Sequence, residues 1–189
     1  MVNTFGNKTD FVPWKKLNEN KYLVQWNCKE DIIIEYQKNS EGNLVLDEQG
    51  NPIPTGNTFP SDMATWTQEV YNFKPSLSFL KNEILEWYNR QTDYKILTGF
   101  VWKNMSVWLS MENQFNYKAM CDITLQTNGA NLPVTLKFGT MENPQYYEFK
   151  IKEDVMDFYL QSLQYINNTI QDGWQEKDAI DWTQYEITE

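Results

Sequence analysis

Two adjacent carboxylate pairs, Glu30-Asp31 and Glu153-Asp154, and one acidic turn, Asp47-Glu48-Gln49-Gly50-Asn51, are where this chain could concentrate side-chain chemistry. Two carboxylates facing each other across a cleft perform general acid–base work, as in glycoside hydrolysis. The start of a helix accounts for Glu153-Asp154 without catalysis, because acids in a first turn face the positive end of the helix dipole. The acidic turn lacks the Asp/Asn alternation and the closing Glu of a calcium loop, so it reads as a solvated turn. The chain has no histidine. That removes the commonest general base, the commonest metal ligand and every Ser-His or Cys-His nucleophile. Cys28 and Cys121 lie far apart and outside any CxxC, which reads as two reduced, buried thiols. Neither GxxxxGKS/T nor GxGxxG occurs, so no glycine loop is expected to cradle a phosphate. The glycosylation triplets at Asn7, Asn104 and Asn167 are read as chance in an Asn-rich chain. The expectation is a protein that is not an enzyme, with no cofactor and no metal.

The elements that would carry such residues belong to an ordinary globular chain with an unusual aromatic surplus. Of 189 residues, 41% are hydrophobic and 22% charged, while aromatics reach 15%, with 8 Trp, 11 Tyr and 10 Phe. Large rigid side chains at that density belong in a core, in an interface, or in both. The net charge of -10 opposes binding to a phosphate backbone, so no nucleic-acid partner is expected. The N-terminal residues have no apolar stretch of the kind a signal peptide needs. No run approaches a membrane span. The chain is expected to be made in the cytoplasm and to remain soluble.

Residues 1–20 place Phe5, Phe11 and Trp14 among Asn, Lys and Thr, with Pro13 against any helix, and predict an extended arm. Residues 22–26 and 31–37 predict two strands joined as a hairpin through 27–30. The following stretch is rich in Gly and Pro and predicts turns, with no repeat of fixed period. A short helix is expected over 63–71, with Trp66 and Val70 on one side, and a second from Leu77 to about Arg90 with Leu77, Leu80, Ile84 and Tyr88 on its stripe. A hairpin is expected over 100–109 around a three-residue turn, Lys103 to Met105. Ser110 then caps a helix whose stripe is Phe115, Ala119 and Ile123. Strands over 134–138 and 146–151 precede the longest helix, with Val155, Phe158, Tyr159, Leu163, Ile166 and Ile170 on its apolar face and Asp172-Gly173 as its stop. The pattern predicts an α+β fold, a small antiparallel sheet of hairpins with amphipathic helices on one face. Residues 1–60 form an N-terminal arm and hairpin region for docking or oligomerisation, and residues 61–189 form the α+β domain.

Trp102 and Trp108 flank the turn of the predicted hairpin. Three readings stand side by side: core packing, a subunit interface, or an exposed pair that stacks on a sugar. The residues around them carry a resemblance. Gly99-Phe100-Val101-Trp102, Val107-Trp108-Leu109-Ser110 and Gln114-Phe115-Asn116-Tyr117 resemble the pattern of a domain of unknown function near the C-termini of tail-fibre and other virion-associated proteins. That domain occurs in phages and prophages of Bacteroides, including crAss-like phages. The likeness spans about residues 62–182 and brings no catalytic residue with it. It implies a structural component of a tailed-phage virion, a small homo-oligomeric adaptor (a dimer first) associated with head or tail fibres. Its partners would be fibre, capsid or tail proteins, and Phe5, Phe11 and Trp14 are the candidate docking residues. A fibre-assembly chaperone absent from the virion, and a glycan-binding module using Trp102 and Trp108, are the alternatives.

Overall fold

The computed structural model describes residues 1–188. The chain is an α+β protein whose described residues form three helices and eight strands. Its described residues divide into two compact units: Met1–Lys81 with residues 181–188, and Asn82–Ile180. The sequence-based division at residue 60 falls inside a strand, β4 (Pro54–Tyr71).

The first unit is a four-stranded antiparallel sheet. Its strands β1 (Val2–Asn7), β2 (Trp14–Asn18), β3 (Lys21–Tyr36) and β4 lie in the order β1-β4-β3-β2. The extended N-terminal residues lie on their own unit: β1 pairs with β4 from Val2 opposite Gln68 to Asn7 opposite Met63, and β2 pairs with the start of β3. Two expectations are corrected here. The stretch 63–71 is strand rather than helix. Trp66 and Val70, four apart, fall on one side of a strand as well as of a helix, and Thr65, Thr67 and Val70 favour the strand. Likewise 27–30 makes no hairpin turn. Asn27 adopts φ 55 and absorbs a bulge, and β3 runs on as one strand. Tyr22, Val24, Trp26, Ala64 and Trp66 are buried in this unit. Gln25 among them is well bonded: it donates to Gln68 at 3.0 Å and accepts from the Val12 amide at 2.7 Å, and the Tyr185 hydroxyl donates to the Gln25 carbonyl at 3.1 Å.

The second unit holds two hairpins, β5–β6 (Phe100–Trp102, Met105–Val107) and β7–β8 (Val134–Gly139, Pro144–Phe149), with helices α2 (Met111–Gln126) and α3 (Lys152–Asp178). The first turn has two residues rather than three. Lys103 and Asn104 both have positive φ (47 and 61), and Trp102 pairs with Met105. The core is an aromatic cluster centred on Phe158. Its ring lies within 6.2 Å of the rings of Phe100, Trp102, Tyr117, Phe138 and Phe149.

Helix α1 (Leu77–Thr98) buries Leu80, Ile84 and Tyr88 as the period predicts. Ser110 caps α2, accepting from the Asn113 amide at 3.2 Å. The buried face of α2 is Tyr117, Met120, Cys121 and Thr124, while Phe115 and Ile123 are exposed. The sequence offers two stripes on that helix, and the structure buries the one the reading passed over. Asp172-Gly173 does not stop α3. Gly173 is buried inside it, and a Cβ there would collide with Thr92 of α1. The glycine permits close helix packing instead of ending the helix.

Candidate functional site

The most exposed apolar feature of the first unit is the outer half of the β3–β4 hairpin. β1 and β2 cover only 63–68 and 21–24 of the long strands. Beyond them every residue from Cys28 to Tyr36 is exposed, and so is every residue from Pro54 to Pro60. Ile32 lies opposite Pro60, Ile33 opposite Phe59 and Ile34 opposite Thr58. Side chains alternate along a strand, so isoleucines stand on both faces of this ribbon. Ile32 is 56% exposed, Ile33 55% and Phe59 49%.

The end of the ribbon is built by a repeat that the sequence reading missed. Asn39-Ser40-Glu41-Gly42-Asn43 and Asp47-Glu48-Gln49-Gly50-Asn51 have the same form, eight residues apart. In the first, Asn39 Oδ1 accepts from the amides of Glu41 and Asn43, both at 3.0 Å. In the second, Asp47 Oδ1 accepts from Gln49 at 2.9 Å and Asn51 at 2.8 Å. Gly42 and Gly50 supply the left-handed residue, with φ 84 and 85. Gln37, Val45 and Ile53, each eight residues apart, close a ring of backbone bonds. Gln37 donates to Ile53 (2.8 Å), Ile53 to Val45 (3.0 Å) and Val45 to Gln37 (2.9 Å). The tip is a three-way junction of the ribbon and two short hairpins. The period rests on Asx and Gly turn chemistry, not on hydrophobicity, and only those residue types could have revealed it.

The acidic candidates have local tasks. Hydrogen bonds from the tip backbone, the Asn51 amide first, hold the Asp47 carboxyl below its usual value. Glu35 is held low by hydrogen bonds from the side chains of Asn57 and Thr55. Asp31 accepts from the Ile32 amide at 2.9 Å. Asp154 accepts from the Tyr147 hydroxyl at 2.6 Å and from Lys103 at 3.0 Å, which lowers its pKa. No group of three or more His, Cys, Asp or Glu that could hold a metal ion occurs among the described residues. Cys121 is buried, as expected, but Cys28 is exposed on the ribbon.

The sequence-predicted docking residues are separated. Phe5 is 59% exposed on β1. Phe11 packs edge-on against Trp66 at 6.2 Å, and Trp14 is half-buried opposite Val24. The two tryptophans of the hairpin also part company. Trp102 is 1% exposed, stacked on Phe149 at 5.4 Å, with its indole N–H donated to Asp157 at 3.0 Å. It cannot offer a face to a sugar. Trp108 is 51% exposed and lines a half-open groove of about 600 Å³ with Ser106, Lys137, Thr140 and Met141.

Most residues that carry the virion-domain resemblance are structural. Phe100, Trp102, Val107, Leu109 and Tyr117 are core, Ser110 is a cap, and Gln114 donates to the Leu109 carbonyl at 2.8 Å. Gly99 leaves room for the Tyr165 hydroxyl, which donates to the Lys95 carbonyl at 2.8 Å. No helix among the described residues is long and apolar enough to cross a membrane. Comparison with protein-family models, curated proteins and solved structures finds no match for this chain.

Proposed function

We propose that this chain is a structural component of a tailed-phage virion, a small homo-oligomeric adaptor for head or tail fibres that docks through its β-ribbon. The supporting observation is the ribbon itself, which holds Ile32, Ile33, Ile34 and Phe59 in water on an ordered frame. Covering one such side chain is worth about 1.5–3 kcal/mol. A lone two-stranded ribbon is marginal by itself, so a partner that covers it gains both burial and order. The resemblance over residues 62–182 supplies the phage context, and the net charge of -10 directs the surface towards protein rather than nucleic acid.

The test is incorporation of Ile32→Lys/Ile34→Lys into particles. Both positions are exposed, so the variant keeps the wild-type circular dichroism and melting profile. It is expected to be missing from gradient-purified particles. Incorporation at the wild-type level would rule out docking through the ribbon.

A second reading, glycan binding, has one observation in its favour: the exposed indole of Trp108 beside the hydroxyls of Ser106 and Thr140 in an open groove. An aromatic face with a polar rim suits a pyranose ring. Host-glycan mixtures would then shift the tryptophan emission of the wild type and not of Trp108→Phe. An unchanged wild-type spectrum removes this reading.

A further inference from the structure

The two edges of the ribbon differ in kind. The outer edge of β4 is blunted by Pro54 and Pro60, which have no N–H to offer, and by Gly56 with φ 91. The outer edge of β3 over 28–36 has no Pro and no Gly and carries Ile32-Ile33-Ile34. No strand among the described residues pairs with it, since β2 ends its pairing at Val24. A long β-branched edge of this kind is a template for another strand.

Its backbone polarity follows from bonds already made. The Glu35 carbonyl accepts from the Thr55 hydroxyl at 3.2 Å, on the β4 side. Antiparallel alternation then turns the N–H and C=O groups of Ile32, Ile34 and Tyr36 outward, along with those of Glu30. The Ile32 N–H is donated to the Asp31 carboxylate at 2.9 Å, a bond at the exposed edge that a pairing strand would exchange for its own carbonyl. Pro60 and Pro54, opposite Ile32 and Tyr36, agree with this, because a proline can give those positions no inward N–H.

We infer that β3 pairs antiparallel with β3 of a second copy of this chain, about a two-fold axis at Ile32, joining two ribbons into one four-stranded sheet. Charge selects the register. With Ile32 opposite itself, Lys29 faces Glu35 twice and Glu30 faces Ile34. Centring on Ile33 would set Asp31 against Glu35 twice, and centring on Asp31 would set that acid against its own copy. Like charges directly opposite oppose pairing. Centring on Ile34 would require Lys38, which is already bridged to Leu44 in the tip. The occupant is therefore a second copy in a single register. This deepens the adaptor reading and rests on its use of the ribbon for assembly.

The test is disulfide trapping in the purified full chain with Cys28→Ser, which removes the exposed native thiol. Ile32→Cys in that background places the two sulfurs across a hydrogen-bonded pair with Cα atoms about 5.5 Å apart, within disulfide reach. Mild oxidation is expected to convert most of the protein to a dimer that reductant reverses. Ile34→Cys is expected to remain monomeric, because its two copies lie four residues out of register, about 13 Å apart. Trapping at 34 in place of 32 would overturn the register. Failure of both variants to cross-link, with wild-type protein sedimenting as a monomer, would overturn the pairing. A trapped dimer whose wild-type parent is missing from phage particles would instead sink the virion reading and leave the pairing standing.

Discussion

Trp102 is enclosed by Phe149, Tyr147, Phe138 and Phe158, and its only polar atom is spent on Asp157. Trp102→Ala should therefore cost about 3–5 kcal/mol in urea unfolding, the range for emptying a buried aromatic site. Trp108→Ala should shift stability by no more than about 0.5 kcal/mol, as at other exposed positions. Equal costs would show that the two indoles are not divided between core and surface. The same cluster gives a pH dependence. The Trp102 indole N–H, and next Gln161, hold the Asp157 carboxyl below its ordinary value, and Tyr147 followed by Lys103 does so for Asp154. A lowered carboxylate pKa adds stability that is complete above the unfolded value of about 3.9 and is lost as pH falls through the folded one. Denaturant midpoints should therefore fall on acidification below about pH 4, and Asp157→Asn should flatten part of that fall. An unchanged acid slope would count against the assignment. The sequence made the importance of Trp102 visible but not its role. Period alone could not tell which of two tryptophans six positions apart would face inward, because Trp102 ends a strand of three residues and Trp108 lies just past the other.

At the scale of elements, helix periods were readable where one stripe dominates and misleading where two compete. α1 buries the predicted Leu80, Ile84 and Tyr88. α2 carries apolar residues on opposite sides, and only the aromatic cluster decides for Tyr117 over Phe115. The strand over 63–71 was misread because an interval of four fits either period. The stop at Gly173 was misread because a glycine serves packing as well as termination. Gly173→Ala should cost about 1–3 kcal/mol through overpacking against Thr92. Thr92→Ala should recover part of that loss in the double variant, whereas additive losses would deny the contact. The N-terminal residues give a contrast of their own. An arm that docks on a neighbour would leave residues 1–20 dispensable for folding. Paired as β1 and β2, they close both sides of the sheet. Their deletion should lower the melting temperature and expose β3 and β4 to rapid amide exchange, and a wild-type melt would contradict the pairing.

Across the whole molecule, an ordinary core coexists with a large apolar ribbon left in solvent, and the proposed adaptor role gives that ribbon a use. The α+β class was legible from alternating strand and helix signals. The position of the ribbon was not, because its tip is specified by turn residues whose eight-residue repeat carries no hydrophobic mark. The most direct measurement of the central claim, that the chain is built into a tailed-phage virion, is peptide mass spectrometry on gradient-purified particles of a phage whose genome encodes it, compared with the lysate. The adaptor account predicts this chain in the particles at a fixed stoichiometry to the capsid protein. Abundance in the lysate with none in the particles would contradict it and leave an assembly factor that departs before the virion is complete.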